Sequence, residues 1–258
     1  MIFSRFAVTL HEKEILKKMQ DQFSRTEMLF GKSAMQRLAK SRVAVFGVGG
    51  VGGYVVEVLA RSGVGTIALI DNDHVALSNV NRQIIATLST VGRLKVDVCE
   101  ERIHDINPAC SVRKYPMFYL PANADTINLA EYDYVVDCID TVAAKLELIR
   151  RCHDLQVPLI CSMGAANKMD PTAFRVTDIY KTNMDPLAKI IRKKLRKLGI
   201  RELKVVYSEE EPMQPSEPAG EETQKERRPV PASNAFVPAA AGLVCGGEVV
   251  KDLIKNEE

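Results

Sequence analysis

Seven residues, Gly47-Val48-Gly49-Gly50-Val51-Gly52-Gly53, constrain the fold of this chain more than any other stretch. They follow the apolar run Val43-Ala44-Val45-Phe46, open a helical pattern reaching about Ser62, and lead to a second apolar run from Thr66 to Asp71. Strand, glycine turn, helix and strand make one βαβ unit, which commits the chain to parallel pairing and a right-handed crossover. Missing side chains let the backbone approach a phosphate, and the helix N-terminus presents free N–H groups. An acid ending the second strand accepts ribose hydroxyls. Gly47, Gly49, Gly50 and Gly52 with Asp71 therefore predict a nucleotide site, and the fingerprint alone fits NAD, FAD or ATP.

The rest of the chain repeats the alternation. A helix is predicted from about Leu94 to Ile106 with Val96, Cys99, Ile103 and Ile106 on one face, and a strand near Ser111 to Pro116. Tyr134 to Ile139 and Pro158 to Ser162 read as strands buried on both faces, joined by a helix from Ala143 to Leu155. The fold class is α/β, a doubly wound Rossmann-like domain with a mostly parallel central sheet, spanning 1–258 as a single unit. Residues 1–40 form an N-terminal helical appendage of two charged stretches interrupted near Phe23-Ser24-Arg25. Residues 208–232, rich in Pro and Glu and poor in apolar side chains, read as a mobile loop that buries too little surface to offset its ordering entropy. A last helix begins at Phe236 and carries Leu243, Val244, Val249, Val250, Leu253 and Ile254.

Composition removes several function classes. The 35 basic and 33 acidic side chains nearly cancel, so the surface as a whole is no polyanion-binding field. No apolar run reaches the length of a membrane span, and the N-terminus has no apolar core of a secretory signal, so a cytoplasmic chain is expected. The six cysteines contain no C-x-x-C pair and sit mostly in apolar runs, as buried reduced thiols do.

Past Asp71 the chain reads Asn72-Asp73-His74, then Ser78-Asn79-Val80-Asn81-Arg82-Gln83, and Lys95 opens the next helix. Cations this close to a phosphate-binding turn suit nucleotidyl transfer, where charge builds on phosphate oxygens, better than hydride transfer. The string G-x-G-G-x-G, Asp71-x-Asp73, Ser78-Asn79-x-x-Arg82-Gln83, Lys95 and Asp137-Cys138-Ile139-Asp140 resembles the E1-like (ThiF/MoeB/HesA-type) adenylating enzymes over about Phe23 to Ser162. Within them the chain is most similar to the tRNA threonylcarbamoyladenosine dehydratases. Gln22-Phe23-Ser24-Arg25-Thr26-Glu27, Leu29-Phe30-Gly31, Ile106-Asn107-Pro108, Ser162 to Lys168 and Phe236-Val237-Pro238 carry that likeness.

The resemblance implies residue roles. The four glycines cradle ATP, Asp71 holds its ribose, and Asp73 is either a further cofactor contact or a turn former. Asn79, Arg82, Gln83 and Lys95 contact the triphosphate, with Arg82 and Lys95 neutralising charge at the α-phosphate. Asp140 holds magnesium, a hard cation that takes one or two carboxylates plus phosphate oxygens, and Asp137 is a strand-end or supporting residue. Arg25 matches an arginine that members supply across a homodimer interface. The implied reaction is ATP-dependent cyclisation, with net loss of water, of N6-threonylcarbamoyladenosine at position 37 of tRNA through an acyl-adenylate. Cys245 lies where some relatives have a cysteine linked to sulfur-relay partners, although burial on a helix face is the plainer reading. Sulfur-carrier activators are the nearer alternative; the missing C-x-x-C pairs and the cysteine-free segment Glu209 to Pro231 count against them. A nicotinamide-dependent oxidoreductase or nucleotide-binding module is the further one, and the Ser78 to Gln83 and Lys95 elements count against it.

A substrate of this kind directs attention to positive charge. Lys189, Arg192, Lys193 and Arg196 recur at i, i+3, i+4 and i+7 on a helix beginning near Pro186. Leu187, Ile190, Ile191, Leu195 and Leu198 are expected to form the docking face, leaving a row of cations, extended by Lys197, Arg201 and Lys204, for RNA phosphates. Tyr180 and Tyr207 are near enough in sequence to consider for stacking a base.

Overall fold

The computed structural model describes residues 21–214 and 231–255. The first helical stretch expected before Phe23, and 215–230 of the expected mobile loop, lie outside the described residues. The chain enters through α1 (Ser24–Phe30) and α2 (Lys32–Lys40), then follows β1 (Arg42–Phe46), α3 (Gly52–Arg61), β2 (Thr66–Ile70), α4 (Lys95–Ile106) and β3 (Ser111–Tyr115). It continues through β4 (Tyr134–Asp137), α5 (Val142–Leu155), β5 (Leu159–Ser162), β6 (Phe174–Asp178), α6 (Pro186–Leu198), β7 (Lys204–Ser208) and α7 (Val237–Ile254).

The strands form one seven-stranded sheet in the order β3-β2-β1-β4-β5-β7-β6, parallel except for β6, which runs antiparallel to β7. Because successive strand residues point to opposite faces, β1 divides its side chains between two layers. Val43 and Val45 join Ile67, Leu69, Val136 and Ile160 in the core against α3, α4 and α7. Ala44 and Phe46 join Ala68, Ile70 and Val135 against α5 on the other face. A third cluster packs Ile191 and Leu195 of α6 on Cys161, Val205 and Tyr207.

Strand order reverses between β1 and β4, since the chain leaves β1 for β2 on one side and returns to β4 on the other. In open α/β sheets the crevice at that reversal, beyond the carboxyl ends of the strands, takes ligands. The glycine turn follows β1 at this edge.

Three differences from the sequence reading have physical causes. The expected interruption near Phe23-Ser24-Arg25 meets the non-helical Phe23 ahead of α1, and a further break, not foreseen, falls at Gly31, whose φ of +83° suits glycine. Within the segment read as an appendage, α2 is built into the core: Ala34 and Leu38 are buried, and Arg37 donates to the Ile254 carbonyl. The antiparallel pair β6 and β7, joined through α6, was not foreseen, because Phe174 to Asp178 is half polar and sits at the sheet edge. Among the described residues no helix is long and apolar enough to cross a membrane.

Candidate active site

The turn after β1 is closed by its neighbours. Gly47 has φ +85°, a left-handed conformation that side chains resist, and a β-carbon there would stand 2.9 Å from the Cys138 carbonyl oxygen. At Gly52 a β-carbon would stand 1.8 Å from the Gly47 oxygen. The first helical turn of α3 thus folds directly over the loop, and Gly53 N donates to Gly49 O at 2.9 Å. Asp71 braces the turn from β2, accepting from Val48 N at 2.7 Å and from Asp73 N at 2.8 Å. It is half-buried and directly follows the last residue of β2.

The loop after β2 brings the remaining nucleotide candidates over the glycines. Arg82 lies with its Cγ 3.5 Å from a β-carbon position at Gly50 and donates through Nη1 to Ser78 O and Asn81 Oδ1. Gln83 has its Nε2 3.7 Å from the corresponding point at Gly49, is 6% exposed, and its Oε1 is buried without a partner. Lys95, nearly buried at the start of α4, is held at 2.7 Å by the exposed Asp73 carboxylate, whose carbonyl also accepts the Lys95 N–H. Asp73 therefore reaches the site through Lys95. Asn79 spends its Oδ1 on Ala76 N, shaping the loop.

On the β4 side, Cys138 packs against Gly47 and Gly52, and the exposed Asp140 follows two residues on. Asp137, fully buried, pairs with the equally buried Lys145 at 2.7 Å. No group of three or more His, Cys, Asp or Glu side chains able to hold a metal occurs among the described residues. Asp140 alone fits a cation that draws its other ligands from phosphate and water.

Two features of the site were missed by sequence reasoning. Lys145 is one; its signal was a lysine sharing the face of Leu148, Ile149 and Cys152. The other is the segment before α7. Pro238 Cβ stands 3.2 Å from a β-carbon position at Gly50, Asn81 donates to Ser233 O, and Asn234 Oδ1 accepts from Phe236 N and Val237 N. An Asn ahead of a Pro-initiated helix is a legible start signal, but nothing in sequence says it closes on the glycine turn.

Arg25 is not brought to the other candidates. Phe23, two residues earlier, packs against Gly63 beyond the carboxyl end of α3, whereas the glycine turn lies at its amino end. Ten helical residues, about 15 Å, separate the two ends. Helix α1 buries none of its residues; Arg25 is exposed, and so are Met28 (87%) and Leu29 (79%) on the same face.

The basic helix is partly corrected. Its buried residues are Ala188, Ile191 and Leu195, while Ile190 and Leu198 face outward. Arg192 turns inward instead of joining the row: its Nη1 donates to Thr182 O at 2.9 Å and to the Thr182 hydroxyl. Lys189, Lys193 and Arg196 remain exposed. Arg196 lies 5.6 Å over the Tyr180 ring, whose hydroxyl donates to Ile200 O, so Tyr180 is engaged; Tyr207 is 3% exposed and cannot stack a base. Asp185 caps the helix by accepting from Ala188 N, and its other oxygen accepts from Gly164 N and pairs with buried Lys168. Burial pulls the Lys168 ammonium below its usual range, partly offset by Asp185.

The cysteines are reduced, and all but half-buried Cys138 are fully covered. The Cys245 thiol is pushed well up by its hydrogen bond with Cys138 and by burial, which suits packing and not sulfur transfer.

A second groove, of about 1790 Å³, lies at the amino-terminal edge of the sheet, lined by Tyr134, Leu159, Lys204 and Asp252 among others. None of the candidate nucleotide-site residues lines it.

Known proteins resemble this chain in sequence and fold. The chain is 48% identical over 247 residues to the tRNA threonylcarbamoyladenosine dehydratase of Bacillus subtilis (strain 168), covering 93% of this chain and 97% of that protein. The crystal structure of Escherichia coli tRNA N6-threonylcarbamoyladenosine dehydratase in complex with AMP superposes with a TM-score of 0.82 at 33% identity, covering 97% of this chain and 98% of that one. The same enzyme in complex with ATP gives 0.80 at 33% identity, covering 96% and 97%. The model of the ThiF family matches residues 23–258, and the chain belongs to that family.

Proposed function

We propose that this protein is an ATP-dependent tRNA threonylcarbamoyladenosine dehydratase. The observation that carries the reading is the near end-to-end likeness to a dehydratase, joined to a glycine turn that Gln83 faces with its Nε2 donor. Sulfur-carrier activation has less support, since the described residues hold no metal-binding cysteine set and Cys245 is buried.

In this reading the glycine turn and the α3 N-terminus receive the ATP phosphates, and Asp71, already ordering the turn, accepts from the ribose. Arg82 and Lys95 offset charge as the substrate carboxylate oxygen attacks the α-phosphorus and pyrophosphate leaves. The carbamoyl group of the modified base then attacks the activated carbonyl, AMP departs, and a ring closes; ATP has taken up the elements of water. The second step is intramolecular, so positioning supplies much of its rate and no enzyme thiol is required. Magnesium, held by Asp140 and the phosphates, supplies charge neutralisation when bound.

Arg25 completes a partner subunit's site. Its distance from its own glycine turn and the exposed Met28 and Leu29 beside it support a homodimer in which α1 reaches across. Lys189, Lys193 and Arg196, extended by exposed Lys197 and Arg201, supply phosphate contacts to the tRNA.

Nucleoside mass spectrometry of tRNA bearing threonylcarbamoyladenosine, incubated with the protein, ATP and magnesium, tests the reading directly. Loss of one water from the modified nucleoside, dependent on ATP, is the expected result. An unchanged nucleoside with a preparation that binds ATP refutes it and points to a protein carboxylate as substrate.

A further inference from the structure

Lys145 sits on α5 without accessible surface, on the face shared with Leu148, Ile149 and Cys152. Its ammonium donates to Asp137 Oδ2 at 2.7 Å and to the Ser162 carbonyl at 3.1 Å, and Asp137 Oδ1 accepts the Ile139 N–H at 3.0 Å. Burial pulls the ammonium down, but the carboxylate more than restores it, and the net direction is upward. Taking two charges out of water is costly, and well-packed apolar side chains of similar volume often stabilise a core as well or better. Stability alone therefore gives no reason for this pair.

Its hydrogen bonds do. Asp137 fixes the backbone at Ile139, the residue before Asp140, and the Cys138 carbonyl between them closes on Gly47. Lys145 binds the same segment to the end of β5. The Asp140 carboxylate, by contrast, has one hydrogen-bond partner among the described residues, the Thr141 hydroxyl at 3.3 Å, so its place is set by the backbone that carries it. We propose that Lys145 and Asp137 are a positioning pair that holds the 138–140 backbone so that Asp140 meets a magnesium-bound triphosphate at the glycine turn. The proposal rests on the reading of Asp140 as the magnesium ligand.

Calorimetric titration of the full chain with ATP, once with magnesium and once with EDTA, separates the two. Groups that orient a metal ligand typically contribute about 10–100-fold to metal affinity. Lys145→Met is expected to reduce the magnesium-dependent tightening of ATP by about tenfold or more, while affinity in EDTA stays within about threefold. The double variant Asp137→Asn/Lys145→Met leaves no buried charge unpaired, should lose the same magnesium increment, and decides the matter where the single variant does not fold. Asp140→Ala is the reference. A folded Lys145→Met or double variant that keeps the increment, when Asp140→Ala has lost it, overturns the positioning role and leaves the magnesium reading standing. An Asp140→Ala chain that keeps the increment overturns both.

Discussion

At Gly52 the volume a β-carbon needs is already taken by the Gly47 carbonyl, 1.8 Å away. Gly52→Ala must therefore push α3 off the turn; we expect a loss of about 1–3 kcal/mol in stability, together with loss of ATP binding, checked by urea unfolding and calorimetry. Arg82→Ala has the opposite profile. Its guanidinium bonds only to the local loop at Ser78 O and Asn81 Oδ1 among the described residues, so stability should change by no more than about 0.5 kcal/mol. ATP-dependent dehydration should fall by about 10²–10³-fold in a single-turnover assay. An Arg82→Ala chain of full activity places the phosphate site elsewhere. Single residues were legible in sequence where backbone geometry restricts the choice, as at Gly47 and Gly52. Lys145 was not, because only the fold shows which carboxylate a lysine on an apolar face will meet.

At the scale of elements, α6 divides its cations between two tasks. Lys189 and Lys193 face solvent, whereas Arg192 holds the Thr182 carbonyl beneath the helix. Reversing Lys189, Lys193 and Lys197 to Glu should weaken tRNA binding and flatten its dependence on log salt by about 0.7–0.9 per lost phosphate contact, with melting unchanged. Arg192→Ala should instead lower the melting temperature without altering that slope; filter binding across a salt series, beside a thermal melt, distinguishes them. Helix and strand bounds were readable from periodicity, since parallel strands appear as short apolar runs. The docking face of α6 was misread because Ile190 and Leu198, though apolar, point outward while Ala188, a small residue, packs inward. The close crossing of α7 on α3 was hidden for a related reason. It depends on Gly242 and Gly246, where a β-carbon would stand 2.6 Å from Tyr54 Cβ and 2.8 Å from Val58 Cβ, and absent side chains carry no hydrophobic pattern.

For the whole molecule, the proposed role of Arg25 in a partner subunit's site would make activity a property of two chains. Mixing Arg25→Ala with Arg82→Ala, each inactive, should restore about a quarter of the activity of the unaltered protein, because half the random dimers hold one complete site of two. No recovery after exchange would mean that Arg25 acts within its own subunit or not at all. Acid stability is also collective. Glu57, buried but bonded to Arg102 and Arg61, and Asp252, bonded to Lys204, Lys255 and Tyr134, are both held below their ordinary values of 4.5 and 3.8 despite the upward push of burial. A depressed carboxyl stabilises the fold fully above its unfolded value and loses that contribution as pH falls through the folded one. Urea midpoints should thus be flat near neutrality and drop below about pH 4.5, less steeply in Glu57→Gln.

The closing of Gly47 by Cys138 also has a temporal side. Ninety residues separate the two, and the β1–β4 pairing that brings them together cannot form until β4 exists. A nascent chain ending near residue 120 already contains the glycines, Asp71, Arg82 and Lys95, but nothing to shut the turn upon. Non-local pairings of this kind are completed late because loop closure must precede their reward. During synthesis, then, the closing of Gly47 by the Cys138 carbonyl waits until β4 docks beside β1.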